Sequence, residues 1–269
     1  MSIENSSEDL QATLDFAVEI AREAGEITLG YFRRNRSVLV VDRKSDGTFV
    51  TTADREAEAH LRARITERYP ADAILGEEEG ERTGISARRW ILDPIDGTYS
   101  FVHGVPLWGV LIGVEISGEP ALGVVNLPAL DELVYARIGG GCFWNGERVS
   151  VSKTATLEDA LVLSTDFGTC AQHGFGAACD ELQSRAHARR TWGDCYGHIL
   201  VATGRADLML DPVMNVWDCA ALAPIVEEAG GTFTDWRGAP TILSGNAIST
   251  NKILLPEVLK VVGANREDR

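Results

Sequence analysis

Acidic residues follow or border apolar segments at four places in this 269-residue sequence. The four positions are Asp54 in TTAD, Glu77–Glu79 in GEEEG, Asp93 and Asp96 in DPIDGT, and Asp218 in NVWDCA. Packing alone does not require an apolar strand to end in carboxylates. Because the strand ends of α/β sheets are where sites are built, we expect these acids to meet at one site.

Carboxylates gathered at one site favour a bound cation. Like charges raise one another's pKa values unless a cation neutralises them. Oxygen ligands without Cys or His suit Mg²⁺ or Mn²⁺ better than zinc. Pro94 stiffens the turn, so Asp93, Asp96 and the Ile95 carbonyl between them can point at one place. The pattern therefore predicts a magnesium site, with Mn²⁺ as an alternative ion.

Gly97 and Thr98 follow these acids directly and are predicted to open a helix. The first N–H groups of a helix are unpaired and carry roughly half a positive charge, which binds phosphate readily. Metal ligands followed by an anion-binding turn indicate phosphate chemistry.

Each motif taken alone also has a structural interpretation. DPIDG is compatible with an Asx turn, the three consecutive glutamates with a solvated surface run, and Asp218 with a helix N-cap. The conjunction of the motifs favours a functional site.

The elements that would position these acids can be predicted from periodicity. We expect a helix over residues 8–34, a strand over 38–41, and a helix capped by Thr52 or Asp54 that ends near Tyr69. Residues 106–138 read as a three-stranded meander. The second half alternates strands and helices, including the helix VWDCAALAPIVEEAGG with a glycine at its C-terminal end. This alternation predicts an α/β fold of packed layers, with halves 1–150 and 151–269 forming one compact unit.

Composition limits the partners. The chain is 45% hydrophobic and 24% charged, which is ordinary for a soluble globular protein. Its formal charge of −15 disfavours nucleic acid and anionic membranes as partners. The polar, acidic N-terminus MSIENSSEDL does not resemble a signal peptide, and no apolar window reaches the ~18 residues of a membrane span. We therefore expect a cytoplasmic protein.

Other catalytic signatures are missing. The sequence has no GxGxxG, P-loop, HExxH or GxSxG motif, and its five histidines are scattered, so we expect them to have surface or core roles. No two cysteines are spaced CxxC, so we expect all five to be free thiols: Cys142, Cys170, Cys179, Cys195 and Cys219.

Three segments resemble the inositol monophosphatase family of Mg²⁺-dependent, lithium-sensitive phosphatases: GEE, WILDPIDGTYSFVHGVPLWGVLIG and VWDCAALAPIVEEAGG. The similarity covers nearly the whole chain. It implies a layered αβαβα sandwich of the inositol monophosphatase and fructose-1,6-bisphosphatase type, usually a homodimer, with two or three Mg²⁺ ions per site and a phosphate ester as substrate.

The resemblance also implies residue roles. Glu77, Asp93 and the Ile95 carbonyl would hold one metal, and Asp93, Asp96 and Asp218 a second. The amides of Gly97 and Thr98 would contact phosphate. A Thr98–Asp54 pair would help to activate water. Glu77 and Glu78 would support that water or a weaker third metal, and Lys44 matches a mobile-loop lysine.

Specificity is expected in the second half. The string WGDCYG…LVATGRADLMLDP resembles the histidinol-phosphate phosphatases of this superfamily. Asp194 and Asp211 would face the leaving group, and two carboxylates suit a cationic alcohol better than a polyol. We therefore expect hydrolysis of histidinol phosphate. One alternative is an inositol or broad sugar phosphatase. A fructose-1,6-bisphosphatase side activity is another, and its second phosphate would use Arg189–Arg190. The protein could also be an inactive metal-binding regulatory subunit, and Asp194 could merely cap the helix after it.

Overall fold

The computed structural model describes residues 7–32, 41–43 and 49–265. Its helices are α1 (Ser7–Tyr31), α2 (Thr52–Arg68), α3 (Thr98–Val102), α4 (Phe167–Gln172), α5 (Gly176–Arg185), α6 (Asp194–Ala202), α7 (Val216–Glu228) and α8 (Leu255–Ala264).

The strands of the described residues form two large sheets and a ribbon. The ribbon pairs β1 (Val41–Arg43) with β2 (Phe49–Thr51). The first sheet has the order β10-β9-β8-β7-β6-β5-β3-β4. Its strands are β3 (Ala73–Gly76), β4 (Gly80–Arg82), β5 (Arg88–Asp96), β6 (Gly109–Ile116), β7 (Glu119–Leu127), β8 (Glu132–Arg137), β9 (Gly141–Trp144) and β10 (Glu147–Val149).

The second sheet has the order β12-β11-β13-β15-β14. Its strands are β11 (Leu161–Ser164), β12 (Ala188–Arg190), β13 (Leu208–Asp211), β14 (Gly231–Thr234) and β15 (Ala247–Asn251). The first sheet thus ends, and the second begins, on either side of residue 150.

Helices cover both sheets and separate them. Helices α1 and α2 pack on one face of the first sheet, where Ile20, Leu61 and Trp90 belong to one buried cluster. Helices α6 and α7 lie between the sheets, where Ile199 and Ile225 join a second cluster. Helices α5 and α8 close the outer face of the second sheet. The order helix, sheet, helix, sheet, helix confirms the predicted αβαβα sandwich.

Close contact between α7 and the first sheet depends on two glycines. Gly113 and Gly123 are cross-strand neighbours on β6 and β7. A Cβ atom at Gly113 would lie 2.6 Å from the Ala220 Cβ, and one at Gly123 would lie 2.0 Å from the Ala221 carbonyl oxygen. Because glycine has no side chain, the helix backbone rests on the sheet, which brings the start of α7 to the end of β5.

Helix boundaries confirm most predictions and correct one. Helix α1 ends at Tyr31, while residues 33–40, which hold most of the predicted strand at 38–41, lie outside the described part. The N-cap of α2 is Thr51, not Thr52 or Asp54: the Thr51 hydroxyl accepts from the Ala53 N–H at 3.1 Å. The meander is confirmed as β6–β8, and Gly230 with φ +87° follows α7 as predicted.

The prediction that every cysteine is a free thiol is wrong for two of them. Cys170 and Cys179 form a disulfide, whereas Cys142, Cys195 and Cys219 are free and buried. The turn after α4 places the two bonded residues 6.4 Å apart at Cα, and the Phe175 N–H donates to the Cys170 carbonyl at 2.8 Å. Two cysteines nine residues apart do not form a sequence pattern that predicts a disulfide.

None of the described helices combines the length and the apolar content that crossing a membrane requires.

Candidate functional site

A β-bulge at the end of β5 brings Asp93 and Asp96 to the same side of the first sheet. Residues three apart in a regular strand face opposite sides. Here Asp93 is paired with Leu111 and Asp96 with Gly109, so three steps along β5 match two steps along β6. Pro94 lies in the bulge, where its missing N–H breaks no ladder bond. The predicted convergence of the two acids therefore comes from one extra residue in the strand.

The acidic run begins beside these aspartates. Strands β3 and β5 are parallel, with Gly76 paired with Leu92, and the Glu77 N–H donates to the Leu92 carbonyl at 3.2 Å. Parallel strands end at the same edge of a sheet. Glu77 therefore lies next to Asp93 at that edge.

The third acid comes from helix α7, which packs against the first sheet. Asp218 lies in the first turn of α7, where its carboxylate accepts from the Asn215 N–H at 2.6 Å. It thus supports the helix start while Asn215, not Asp218, is the N-cap. One carboxylate oxygen each from Asp93, Asp96 and Asp218 lies within 4.8 Å of the others.

Burial and neighbouring negative charge raise the pKa values of the acids in this cluster. Burial raises the pKa of Asp93 well above its usual value, and the charges of Glu77, Asp96 and Asp218 add to the effect. Burial and then the charges of Asp194 and Asp218 do the same to the pKa of Asp96. The pKa of Asp218 is raised to about 7, chiefly by burial. A group of oxygen ligands with such pKa values fits a divalent cation, which would neutralise it.

The turn after β5 requires glycine. Gly97 is the N-cap of α3 in the left-handed conformation, with φ +84°. A Cβ atom there would lie 2.9 Å from the Leu107 carbonyl oxygen and 3.1 Å from Oδ2 of Asp194. The Thr98 hydroxyl donates to the Ile95 carbonyl at 2.9 Å. The turn that the sequence predicts to bind phosphate therefore lies next to the Asp194 carboxylate.

Asp54 lies in the first turn of α2 and is buried. Its Oδ2 accepts from the N–H and the hydroxyl of Thr51 at 2.8 and 2.6 Å, whereas its buried Oδ1 has no hydrogen-bond partner among the described residues. Burial, with a smaller contribution from the charges of Glu78 and Glu77, raises the pKa of Asp54 to about 7. The Asp54–Thr98 pair stays a prediction, since the Thr98 hydroxyl donates to Ile95 here.

Most of the predicted site residues line one cavity of about 670 Å³. These residues are Glu77, Asp93, Ile95, Asp96, Gly97, Thr98, Asp194 and Asp218. A cavity of about 130 Å³ shares Asp96, Asp194 and Asp218 with it and is also lined by Asp211. Lys44 lies outside the described residues.

Asp194 does not cap its helix. Gly193, not Asp194, is the N-cap of α6, and Asp194 is the first residue of the helix. The Asp194 backbone has φ +52°, and its N–H donates to the Thr165 hydroxyl at 2.8 Å. Burial and the charges of Asp211 and Asp218 raise the pKa of Asp194 to about 7. The interpretation of Asp194 as a mere cap is therefore wrong.

Sequence reasoning missed several residues. Glu58 of α2 is fully buried and binds the backbone of the acidic run, a role that no local pattern signals. Arg43, Phe49, Tyr99, His173 and Trp217 line the large cavity. Arg189 and Arg190, proposed for a second phosphate, are not among the residues that line the two cavities.

Known proteins resemble this chain over most of its length. The profile of the inositol monophosphatase family matches residues 9–267. A histidinol-phosphatase of Chlorobaculum parvum is 45% identical over 95% of this chain and 98% of the relative. A histidinol-phosphatase of Mycobacterium tuberculosis is 38% identical over 93% of this chain and 98% of the relative. The crystal structure of the extragenic suppressor protein suhB from Bartonella henselae superposes with a TM-score of 0.86 at 29% identity, covering 93% of this chain and 98% of that one.

Proposed function

The chain belongs to the inositol monophosphatase family and is a phosphate monoester hydrolase, and we propose that its substrate is L-histidinol phosphate, cleaved to L-histidinol and phosphate in histidine biosynthesis. The observation that carries the proposal is the position of Asp194 and Asp211, which line one cavity beside the acid cluster. The names of two similar phosphatases point to the same substrate.

We propose Mg²⁺ as the ion, with Mn²⁺ as an acceptable replacement. Glu77, Asp93 and the Ile95 carbonyl would hold one ion, and Asp93, Asp96 and Asp218 a second. A third ion would be held more weakly near Glu77. Bound divalent cations supply neutralisation of the ester's negative charge and activation of water.

The protein's own groups orient the phosphate and move a proton. The N–H groups of Gly97 and Thr98 donate to phosphate oxygens in this proposal. Asp54 is suited to accept a proton near neutral pH because its pKa is about 7. The Thr98 hydroxyl, which donates to Ile95 here, turns towards Asp54 and passes the proton of the attacking water, with Glu77 helping to orient that water.

The leaving group explains why two extra carboxylates lie beside the phosphate site. Histidinol carries an ammonium group and an imidazole, both of which can donate hydrogen bonds. Asp194 and Asp211 can accept them, and the charge attraction favours this alcohol over a neutral polyol.

A phosphate-release panel tests the substrate. Purified protein with Mg²⁺ is compared on L-histidinol phosphate, inositol 1-phosphate, fructose 1,6-bisphosphate and 3′-phosphoadenosine phosphate, with EDTA as the blank. We expect kcat/KM for histidinol phosphate to exceed the others by more than tenfold, or about 1.4 kcal/mol. A smaller preference would remove the substrate assignment, and release from none of the esters would favour a regulatory subunit.

The family resemblance also leads us to propose a cytoplasmic homodimer. Light scattering on the purified chain tests the dimer, and a mass of about 29 kDa instead of twice that value would contradict it.

A further inference from the structure

We propose that His198 is a positioning residue for leaving-group recognition, because it holds the carboxylate of Asp211 in place beside the small cavity. This inference rests on the proposed function, in which Asp211 accepts a hydrogen bond from the cationic alcohol. His198 belongs to α6, the helix that begins at Asp194, so one helix would serve both acids.

The contacts of His198 lie between α6 and the second sheet. His198 is fully buried, and its Nε2 lies 3.2 Å from Oδ2 of Asp211. Its Nδ1 lies 2.7 Å from the hydroxyl of Ser249 on β15. In the arrangement that we infer, Nε2 carries the ring proton and donates a hydrogen bond to the Asp211 carboxylate. Ser249 fixes the opposite side of the ring, so the ring cannot turn away without losing both contacts.

His198 is not needed to hold the backbone at this position. Asp211 is paired with Ala247 in the second sheet, and its carbonyl accepts from the Trp236 indole N–H at 3.0 Å. These two contacts fix the main chain independently of the imidazole. Towards Asp211, His198 therefore acts on the side chain, whose Oδ2 it contacts, and not on the main chain.

Confinement of one carboxylate oxygen has a consequence for specificity. A carboxylate that is free to rotate would present its oxygens to a ligand in several orientations and would lose entropy on binding. A carboxylate fixed from behind by a hydrogen bond presents one oxygen in a constant direction. Such support is the usual way in which an outer residue improves the geometry of a binding group.

The test separates this role from a merely structural one. His198→Phe keeps a ring of similar size but removes the donor, and His198→Gln keeps a side-chain N–H. The variants are compared on L-histidinol phosphate and on p-nitrophenyl phosphate, whose leaving group carries no cation. We expect His198→Phe to raise KM for histidinol phosphate about tenfold. Its KM and kcat for p-nitrophenyl phosphate should stay within about twofold of wild type, and His198→Gln should recover part of the loss.

Several other outcomes would contradict the positioning role of His198. Equal losses on both esters, or an unchanged KM for histidinol phosphate, would overturn the positioning role. If His198→Phe does not fold, Ser249→Ala tests the same role, because it removes only the contact between the Ser249 hydroxyl and His198 Nδ1. A rise of about threefold in KM for histidinol phosphate would support the positioning role, and an unchanged KM would contradict it. A wild-type enzyme without preference for histidinol phosphate would refute the proposed function instead.

Discussion

Glu58 and Glu78 are joined by a hydrogen bond in which the Glu78 N–H donates to the Glu58 carboxylate at 2.8 Å. The other oxygen of Glu58 accepts from the Glu79 N–H at 3.0 Å and from Nε of Arg62 at 2.7 Å. A Cβ atom at Gly76 would lie 2.1 Å from that oxygen, so glycine is required there. Through the Glu58 side chain, helix α2 thus holds the backbone of residues 78 and 79 in place.

We expect Glu58→Gln to weaken divalent-metal binding about tenfold, the lower end of the usual effect of an outer-shell partner. The glutamine side chain has one carbonyl oxygen for three donors, so the backbone that carries Glu77 would loosen. Calorimetric titration with Mn²⁺ measures the affinity directly. Glu56→Gln, an exposed position on the same helix, is the matched control. Equal affinities of the two variants would show that Glu58 has no effect on the metal site.

Asp93→Asn should reduce turnover on the order of 10³-fold or more, because the proposed ligand shared by two cations becomes a neutral amide. The fold should survive, since the change relieves repulsion from Glu77 and Asp96. Phosphate release and circular dichroism measure the two effects. Glu81→Gln on β4 is an exposed control that we expect to behave as wild type. Near-normal turnover by Asp93→Asn would remove the metal assignment.

The stability of the metal-free protein should fall as pH rises through neutrality. Asp54, Asp194 and Asp218 have pKa values raised to about 7 in the folded protein from a usual 3.8. The native state therefore binds more protons than the unfolded chain between these values. The stability that these protonated groups contribute is therefore complete below pH 3.8. It decreases as the pH rises from there and is lost once the pH has passed 7.

Thermal melts in EDTA at pH 5.5 and pH 8 measure this loss, which we expect to lower Tm by about 5 °C or more. Excess Mg²⁺ should remove most of the difference, because the cations neutralise the acids in the native state alone. Asp54→Asn deletes one of the titrating groups and should flatten the profile. A Tm that does not change with pH in EDTA would show that burial and neighbouring charges do not raise the pKa values of these acids in the folded protein.

The site was more predictable from the sequence than the details that support it. Asp93, Asp96 and Asp218 could be recognised because several acidic motifs occur together in one chain, although each motif alone also has a structural interpretation. The bulge that aligns the first two was only partly visible, through Pro94. Glu58 could not be recognised, because its partners are backbone groups about twenty residues away along the chain.

The fold was predicted as layers, but contacts between layers were not. Helical and strand periodicity reveals which face of each element is apolar. It does not reveal that Gly123 lies against Ala221 or that Cys170 meets Cys179, since both contacts depend on how the elements pack. The Thr51 cap was missed by one residue, which is the usual uncertainty at a helix end.

Gly123→Ala should destabilise the protein by about 1–3 kcal/mol, because the new methyl group would overlap the Ala221 carbonyl and push α7 away from the sheet. Gly30→Ala on α1 is the matched control, because its Cβ atom would have no atom of the described residues within 4 Å and alanine is the better helix former. We expect the control to be neutral or stabilising by up to about 1 kcal/mol. Urea unfolding measures both, and equal stabilities would contradict the close packing of α7.

The disulfide predicts a thiol count and a stability difference. Alkylation of the denatured, unreduced protein should label three of the five cysteines, which are Cys142, Cys195 and Cys219. Closing a loop of about ten residues stabilises a fold by about 2–3 kcal/mol, so Cys170→Ala combined with Cys179→Ala should unfold at lower urea. Dithiothreitol should lower the urea midpoint of the wild-type protein towards that of this double variant and leave the midpoint of the variant unchanged. Labelling of all five cysteines without reductant would show that the purified protein lacks the bond.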